Sequence, residues 1–353
     1  MSPRIVVVPP SADAGEIARE MAPAGFELVL ARDGSPEYEA ALAGAEYMVC
    51  YPNVALRDAF YRAAPRVKLV QLLSAGYDAV DLEAARRARV PVANNGGANA
   101  ISVAEHALML MLAVSRKVVW QHGNVSGGRW RGNGPVPRMY ELHGKTLGIV
   151  GLGTIGKKVA RLAQAFGMRV QYYDIVRLSE DAEDALGVRF RLLRELLKSS
   201  DVVSLHVPLN ASTRGMIGAG ELALMKHLGV LVNTSRGPVV DEPALTRALS
   251  AGKLFGAGLD VFEQEPLAAD NPLLAQVGSP PIDFQRQLIG FHELGRLEEA
   301  VAQLRQKGHV PLRVRAIVDE TGVGELLGAS PGRFLDQRSG ARVVPTRSPA
   351  RLR

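Results

Sequence analysis

Three glycines with the spacing G-x-G-x-x-G stand near the middle of the chain, at Gly151, Gly153 and Gly156. Glycines at this spacing allow a tight turn, a close approach of the backbone to a pyrophosphate, and a close contact between a helix and a strand. Residues 147–150, directly before them, are apolar or Gly and are typical of a strand buried on both faces. We therefore predict a dinucleotide-binding turn here.

A helix is predicted directly after this turn, because apolar residues recur at helical spacing and Gly167 is a natural helix end. The recurring residues are Val159, Leu162, Ala163 and Phe166. The first turn of such a helix has N–H groups without intrahelical partners, and these N–H groups bind phosphates.

A second strand, 169–173, is predicted to follow this helix and to end at Asp174. A carboxylate at this position accepts hydrogen bonds from both ribose hydroxyls and repels a 2′-phosphate, so the sequence favours NAD over NADP. Arg177 nearby weakens that preference without reversing it. The strand, turn, helix, second strand and acid occur in the order of a dinucleotide site, which a lone glycine-rich turn would not provide.

Residues 1–100, ahead of this unit, alternate between strand-like and helix-like segments, which is typical of an α/β layer with a parallel sheet. The strand candidates are Ile5–Val8, Glu27–Leu30, Tyr47–Cys50, Lys68–Leu72 and Val90–Ala93. Because the dinucleotide turn comes only after them, we expect a separate domain ahead of it. The predicted fold is α/β, with two parallel-sheet domains, the second of them Rossmann-like.

The alternation continues beyond Asp174, with strands predicted within 201–208, 230–233 and 256–262. Ligands of open α/β sheets bind at the carboxyl ends of such strands. Residues 120–140 contain five Gly, two Pro and two Trp. This composition predicts a loop and a hinge between the domains.

Two turns of the first domain have the composition of ligand-binding loops. Ser74–Asp78 follows a strand and could offer backbone N–H groups to an anion, although a plain turn fits the local sequence equally well. Asn94–Asn99 opens a helix predicted over 102–117. Ser102 and Glu105 form a capping box at its start, so Glu105 is either that structural partner or a catalytic group.

Composition narrows the functional classes. Of 353 residues, 47% are hydrophobic, and the net charge of +6 depends on a tail, 331–353, with six Arg and one Asp. The tail contains neither a motif that recognises bases in a nucleic-acid groove nor aromatic residues that alternate with the arginines. We therefore do not predict nucleic-acid binding. Cys50 is the only cysteine, which excludes an intrachain disulfide and a cysteine-based metal site and favours a reducing compartment.

Neither a leader nor a membrane span is predicted. The apolar run Ile5–Val8 is too short for a signal peptide, and the eight-residue run Ala107–Val114 is too short to cross a bilayer. The sequence thus predicts a cytoplasmic protein that does not contact membranes.

Residues about 70–275 resemble the D-isomer-specific 2-hydroxyacid dehydrogenase family. The matching stretches are Ser74–Asp78, Asn99–His106, Glu141–Gly148, the glycine turn, His206–Leu209, Asn233–Gly237 and Leu259–Pro266. The resemblance implies a two-domain enzyme, usually a dimer, with NAD and a small 2-hydroxy or 2-keto acid held in the cleft. It implies two Rossmann-like or flavodoxin-like domains with a cleft between them: a flavodoxin-like substrate (catalytic) domain at 1–100 and an NAD-binding Rossmann domain at 101–282. An atypical segment at 283–353 follows them.

Such an enzyme moves a hydride at C2 of its substrate, which requires a cation for the carboxylate, a base for the hydroxyl proton and a nicotinamide close to C2. The resemblance assigns the cation to Arg236, whose planar guanidinium suits a carboxylate. It assigns contact with the nicotinamide to Asp260. It makes Glu265 the acid that orients the catalytic histidine and raises its pKa.

Three sets of site residues follow from the resemblance. The catalytic residues are Arg236 and Glu265. The cofactor contacts are Gly151, Gly153, Thr154, Ile155, Gly156, Asp174, Val207, Pro208, Thr234, Ser235, Arg236 and Asp260. The substrate contacts are Ala75, Gly76, Asn99 and Arg236, and no metal is predicted.

The family's catalytic histidine, which should follow Glu265 in a Thr-Pro-His context, has no counterpart within 277–284. His292 lies in the right interval but has different neighbours, and a helix-surface role fits it as well. Residues 288–306 fit an amphipathic helix, and a basic tail, expected to be disordered, follows them. A frameshift, fusion or truncation would explain this foreign ending.

The sequence therefore predicts an NAD-dependent oxidoreductase that interconverts a D-2-hydroxy acid and its 2-keto acid. The alternative is a catalytically impaired NAD-binding pseudoenzyme or an NAD-responsive interaction module on the same scaffold. Formate dehydrogenase is a third possibility, because it shares the run at Asn99–His106. It is disfavoured because the formate dehydrogenase pattern has a Gln-Pro pair where this chain has Glu265 and Pro266.

Overall fold

A computed structural model of the protein describes residues 2–130 and 138–276, together with a two-residue strand at Arg315–Ala316. These residues form two six-stranded sheets, each connected mainly through helices. His292, the segment 288–306 and the expected tail lie outside the described residues, so the predictions made for them stay predictions.

Five strands of the first sheet lie within residues 4–94. They are β1 (Arg4–Val7), β2 (Glu27–Leu30), β3 (Ala45–Cys50), β4 (Leu69–Leu72) and β5 (Val92–Asn94). The helices between them are α1 (Ala12–Glu20), α2 (Pro36–Leu42), α3 (Asp58–Ala63) and α4 (Leu82–Ala88). All five predicted strands are confirmed, with small shifts of their ends.

Two helices, α5 (Ala100–Ser115) and α6 (Val118–Ser126), lead into the second sheet. Its strands are β6 (Thr146–Val150), β7 (Arg169–Tyr173), β8 (Val188–Phe190), β9 (Val202–Leu205), β10 (Gly229–Asn233) and β11 (Leu254–Leu259). Its helices are α7 (Thr154–Ala165), α8 (Glu180–Leu186), α9 (Leu193–Ser199), α10 (Ala219–Leu224) and α11 (Glu242–Ser250). One further strand among the described residues, β12 (Arg315–Ala316), belongs to the first sheet.

Strand order identifies both architectures. The first sheet runs β12-β5-β4-β3-β1-β2, with β1 to β5 parallel and β12 antiparallel to β5. The five parallel strands have the flavodoxin-like order. The second sheet runs β11-β10-β9-β6-β7-β8, all parallel, which is the doubly wound order of dinucleotide-binding domains. The predicted fold class is confirmed.

Burial explains why these segments form central strands. Every residue of β9, β10 and β11 is buried, as expected for parallel strands covered by helices on both faces. Helix α5 packs against α7, β10 and β11. A Cβ at Gly258 would lie only 2.8 Å from Cβ of Leu110, so this glycine permits the close approach of α5 to the second sheet.

Two local predictions were wrong. Helix α5 begins at Ala100, after a turn in which Gly97 has φ +91°, so Ser102 lies inside the first helical turn and does not cap it. Residues 120–126 are helical, because α6 accommodates Gly123 on a side with open space around it.

Within the described part of the chain, no helix combines the length and the apolar character that crossing a bilayer requires. No group of three or more acidic, His or Cys side chains there is placed to hold a metal ion. The predicted absence of a metal site stays a prediction.

Candidate functional site

The glycine turn between β6 and α7 adopts a shape that side chains would block. Gly151 has φ +95°, and a Cβ there would lie 2.6 Å from the carbonyl oxygen of His206. A Cβ at Gly156 would overlap the carbonyl oxygen of Gly151. Both glycines are therefore required by the protein's own packing.

Gly153 differs from its two neighbours in the motif. It caps the N-terminus of α7 with φ −74°, a conformation open to any residue. Apart from its neighbours in the chain, no atom of the described residues lies within 4 Å of a Cβ placed there. The described part of the protein thus leaves the space beside Gly153 open, at a helix N-terminus suited to phosphate.

Asp174 lies beside this turn at the end of β7. Its Oδ2 accepts a hydrogen bond from the Leu152 N–H at 2.7 Å, and its Oδ1 accepts one from the Val176 N–H at 3.1 Å. Each carboxylate oxygen has two lone pairs, so both oxygens remain able to accept ribose hydroxyls.

Arg177, which weakened the preference for NAD in the sequence, is engaged elsewhere. Its Nε donates to Oε1 of the buried Glu183 at 3.0 Å, and its guanidinium lies 5.3 Å from the ring centroid of Phe190. This arginine is therefore held on α8 and β8, which strengthens the discrimination by Asp174.

Replacing Asp174 tests this discrimination directly. Asp174→Asn keeps an oxygen acceptor for the turn and removes the negative charge that repels a 2′-phosphate, so we expect the NADPH-to-NADH affinity ratio to rise about tenfold. Fluorescence titration with each nucleotide measures the ratio. Asp181→Asn, at an exposed position of α8, is the control, and an unchanged ratio in Asp174→Asn would contradict the assignment.

A cleft opens between the carboxyl ends of the two sheets, and it is continuous with an apolar space beside α1 and β1 of the first sheet in a cavity of about 900 Å³. The first sheet and the turn before α5 contribute Ala75, Gly76, Asp78 and Asn99 to its lining. The second sheet and its loops contribute Ile155, His206, Val207, Pro208, Thr234, Ser235, Arg236, Asp260 and Glu265. Every predicted substrate contact and both predicted catalytic residues thus line one cavity.

The turn after β4 presents free backbone donors. The carbonyl of Ser74 accepts from the Asn95 N–H at 3.0 Å, and the carbonyl of Ala75 accepts from Nδ2 of Asn94 at 2.7 Å. These contacts fix the turn through its carbonyl groups. The N–H groups of Ala75 and Gly76 have no hydrogen-bond partner among the described residues, so they are available to an anion.

Asn233 shapes the loop that carries Arg236. The Oδ1 of Asn233 accepts from both the N–H and the hydroxyl of Ser235, at 3.0 and 2.7 Å, and its Nδ2 donates to the Arg236 carbonyl at 2.9 Å. The side chain of Asn233 is 1% exposed. It closes the turn at the carboxyl end of β10 and fixes where Arg236 leaves the backbone.

The Arg236 side chain bridges the two sheets. Its Nη1 donates to the Ser235 carbonyl at 2.6 Å, and its Nε donates to Oδ2 of Asp78 across the cleft. The Nη2 lies so close to Gly76 that a Cβ there would overlap it. A cation therefore faces the turn whose N–H groups are free, which makes a carboxylate-binding site.

Two carboxylates line the second-sheet side of the cleft. Asp260 follows β11 and lies 3.4 Å from Nε2 of His106 on α5, and both side chains are largely buried. Glu265 is exposed, and its Oε1 accepts from the Phe262 N–H at 3.0 Å. The first carboxylate is positioned by a helix and the second by its own loop.

His206 lines the same cleft at the end of β9. Its Nε2 lies 2.9 Å from the Ser204 hydroxyl, while Nδ1 is buried without a hydrogen-bond partner among the described residues. Burial lowers the pKa of this histidine to about 4. The imidazole is therefore neutral near pH 7.

The lowered pKa of His206 predicts acid sensitivity. Between about pH 6.5 and about pH 4 the unfolded chain binds a proton at this histidine that the folded chain does not, so the free energy of unfolding falls as pH falls. We expect His206→Asn to lose the part of this pH-dependent fall in the free energy of unfolding that comes from His206, which is of the order of 2 kcal/mol. Urea unfolding at pH 7 and pH 4.5 measures it, with the exposed His122→Asn as control. Equal pH dependence in wild type and His206→Asn would refute it.

Orphaned polar atoms mark the cleft as a place for a polar ligand. Asn99 Oδ1, His206 Nδ1 and Thr234 Oγ1 are buried without hydrogen-bond partners in the described ranges, and all three residues line the cavity. Buried polar atoms are rarely left without a partner. With the open space at Gly153 and the acid at Asp174, this pattern fits a dinucleotide with many hydroxyl and phosphate groups.

Sequence reasoning missed three residues of this site. Asp78, His106 and His206 each stand inside a stretch that matched the family, yet no role was predicted for them. Asp78 and Arg236 are 158 positions apart, and a contact at that separation leaves no mark on local spacing. Of the predicted cofactor residues, Gly151, Gly153, Thr154, Gly156 and Asp174 form the glycine turn and its acid, and the others line the cleft.

Comparison with known proteins agrees with this geometry. Residues 108–278 match the profile of the D-isomer specific 2-hydroxyacid dehydrogenase NAD binding domain. A glyoxylate reductase of Thermococcus onnurineus is 42% identical over 231 residues, which are 62% of this chain and 69% of that protein. The chain belongs to the D-isomer-specific 2-hydroxyacid dehydrogenase family. It therefore contains this family's NAD-binding domain.

Other members of the family are also similar. A glyoxylate reductase of Korarchaeum cryptofilum is 47% identical over 216 residues, which are 61% of this chain. The matched region spans 65% of that relative, slightly under two thirds of its length. The crystal structure of a D-lactate dehydrogenase from Aquifex aeolicus, complexed with NAD and lactic acid, superposes with a TM-score of 0.71. It is 30% identical, covering 86% of this chain and 96% of that structure.

Proposed function

We propose that this protein is an NAD-dependent oxidoreductase that interconverts a small D-2-hydroxy acid and its 2-keto acid. One observation carries the proposal: the Arg236 guanidinium faces the free N–H groups of Ala75 and Gly76 in a cleft that Asp260 also lines. A cation and two N–H donors hold a carboxylate, and the second sheet positions the cofactor beside it.

NAD is the cofactor that the residues fit. Gly151, Gly153 and Gly156 would hold its pyrophosphate, Asp174 its adenosine ribose, and Asp260 its nicotinamide end. When bound, its nicotinamide ring accepts the hydride from the hydroxy acid or supplies it to the keto acid.

The chain's own residues bind and orient the acid. Arg236 pairs with its carboxylate and polarises the oxygen on C2, while the Ala75 and Gly76 N–H groups complete the anion site. Glu265 lines the cleft and is exposed, and we expect it to orient a histidine base. His292, the sequence's candidate for that base, lies outside the described residues.

The relatives named glyoxylate reductase and D-lactate dehydrogenase suggest a two- or three-carbon acid. We propose that residues 1–100 form the substrate domain and 101–282 the NAD-binding domain, in a cytoplasmic protein. No observation favours the pseudoenzyme or interaction-module alternative over turnover.

A homodimer is proposed from exposed apolar side chains on α5, on α6 and in the loop after α6. They are Ile101 (48%), Met109 (39%), Val118 (41%), Val125 (61%) and Trp130 (80%). Exposed apolar side chains that lie together in a patch mark protein contacts. Analytical ultracentrifugation tests the dimer, and Met109→Glu would dissociate it.

Purified protein with NADH and a panel of glyoxylate, pyruvate, hydroxypyruvate and longer 2-keto acids tests the activity. We expect oxidation of NADH, followed at 340 nm, with a small keto acid preferred. Binding of NADH without oxidation of it by any acid would instead establish the pseudoenzyme. If turnover occurs, its loss in His292→Ala would identify His292 as the base.

A further inference from the structure

The carboxylate of Asp78 lines the cleft, but the proposed reaction gives this residue no role. Asp78 lies on the loop after β4 of the first sheet, and its Oδ2 accepts the Nε–H of Arg236, which follows β10 of the second sheet. The Asp78 side chain is 24% exposed and the Arg236 side chain 38%. This ion pair joins the two sheets across the cleft.

The contacts of Arg236 leave a defined part of its guanidinium for a ligand. A guanidinium has five N–H donors in a fixed planar fork. Asp78 takes the Nε–H and the Ser235 carbonyl takes one Nη1–H. The remaining donors, on Nη1 and Nη2, form the outer edge of the fork, and Nη2 lies against Gly76.

We propose that Asp78 is a positioning residue that fixes this edge of Arg236 toward the Gly76 turn, and that its charge makes the cleft select small monocarboxylates over dianions. The proposal rests on the proposed function and names its substrate class more closely. A residue without a hydrogen-bond acceptor at position 78 would leave the guanidinium held only through the Ser235 carbonyl, which weakens bidentate binding of a carboxylate.

The negative charge of Asp78 is the reason for the proposed selection of monocarboxylates over dianions. Asp78 and Arg236 together contribute no net charge, so one ligand carboxylate adds a single negative charge to the pair. A second carboxylate or a phosphate on the same small ligand would lie close to the Asp78 carboxylate without a further cation among the cleft residues named above. Like charges in a cleft of lowered dielectric repel each other strongly.

The test uses oxamate, a monoanion, and oxalate, a dianion, as probes of the protein saturated with NADH. Asp78→Ala removes both the acceptor and the charge, and we expect its oxamate affinity to fall about tenfold or more. Asp78→Asn keeps an acceptor for Nε and removes only the charge. We expect it to reduce the preference for oxamate over oxalate by about tenfold, and Asp78→Glu to restore that preference in part.

Calorimetry or nucleotide fluorescence measures the affinities, together with the NADH affinity and the melting temperature of each variant. Asp58→Asn, which breaks an exposed ion pair with Arg87 on the first sheet, is the control for loss of an acid in the same lobe. Both NADH affinity and melting temperature are expected to stay near the wild-type values. An Asp78→Ala variant that binds oxamate as well as wild type, or an unchanged ligand preference in Asp78→Asn, overturns the proposal.

Turnover of glyoxylate by the wild type is measured separately, so the two proposals fail in distinguishable ways. A protein that binds oxamate in a manner dependent on Asp78 but reduces no keto acid keeps the role of Asp78 and loses the proposed function. A protein that binds neither probe overturns the Asp78 proposal.

Discussion

Arg236→Lys is expected to lower kcat/KM for the preferred keto acid by about 10²- to 10³-fold, which corresponds to roughly 3–4 kcal/mol of lost transition-state stabilisation. Lysine keeps the positive charge but replaces a planar fork by one compact ammonium. It cannot hold Asp78, the Ser235 carbonyl and a ligand carboxylate at once in the geometry that the guanidinium provides.

Steady-state kinetics with varied keto acid measure this loss, and NADH fluorescence checks that the cofactor still binds. The Asn233 side chain fixes the loop through backbone groups, so the nucleotide affinity should change little in Arg236→Lys. Arg214→Lys, at an exposed position on the loop before α10, is the matched control. Near wild-type kcat/KM in Arg236→Lys would exclude the guanidinium as the carboxylate site.

The second sheet was predictable because the sequence signals for its strands, turn and helix lie close together in the chain. Strand β6, the glycine turn and helix α7 follow one another within twenty residues, and Gly151 and Gly156 each have a steric reason that depends mainly on backbone. Strands β9 to β11 were also predictable from their apolar runs, because a strand covered by helices on both faces is apolar along nearly its whole length.

The start of α5 and the existence of α6 were harder to predict, because both depend on weak local signals. Asn99 precedes the first residue of α5 without a side-chain cap, while Ser102 and Glu105 resemble a capping box two residues further on. The glycine and tryptophan content of α6 predicts a loop. The helix forms after Lys117, which has φ +52° and a side chain buried over the ring of Phe255. This residue fixes the chain at the point where α6 begins.

The cleft itself was predictable only through the family resemblance. Ala75, Gly76 and Arg236 come from different sheets, and nothing in their spacing brings them together. Asp78 and His206 act through contacts with side chains and buried space that exist only after both sheets have formed. Sequence periodicity identifies which residues are buried, whereas the pairing of polar groups across a cleft is a property of the tertiary structure.

Gly153→Ala is expected to lower the affinity for NADH by roughly 10- to 100-fold while the protein folds normally. The reason lies in the contrast among the three glycines of the turn. Substitutions at Gly151 and Gly156 would collide with backbone of the protein itself, so their effects would mix unfolding with lost binding. At Gly153 the φ of −74° suits alanine, and the methyl group would enter space that no atom of the described residues occupies.

That space is where a pyrophosphate must approach the backbone if the turn binds a dinucleotide. The melting temperature of Gly153→Ala should therefore equal that of wild type or rise slightly, since alanine restricts the unfolded chain more than glycine does. Gly220→Ala in α10, where a Cβ also meets nothing within 4 Å, should show the same stability effect with unchanged NADH affinity. A Gly153→Ala protein that binds NADH as tightly as Gly220→Ala would mean that the nucleotide does not lie on this turn, and the cofactor assignment for the whole second sheet would have to be withdrawn.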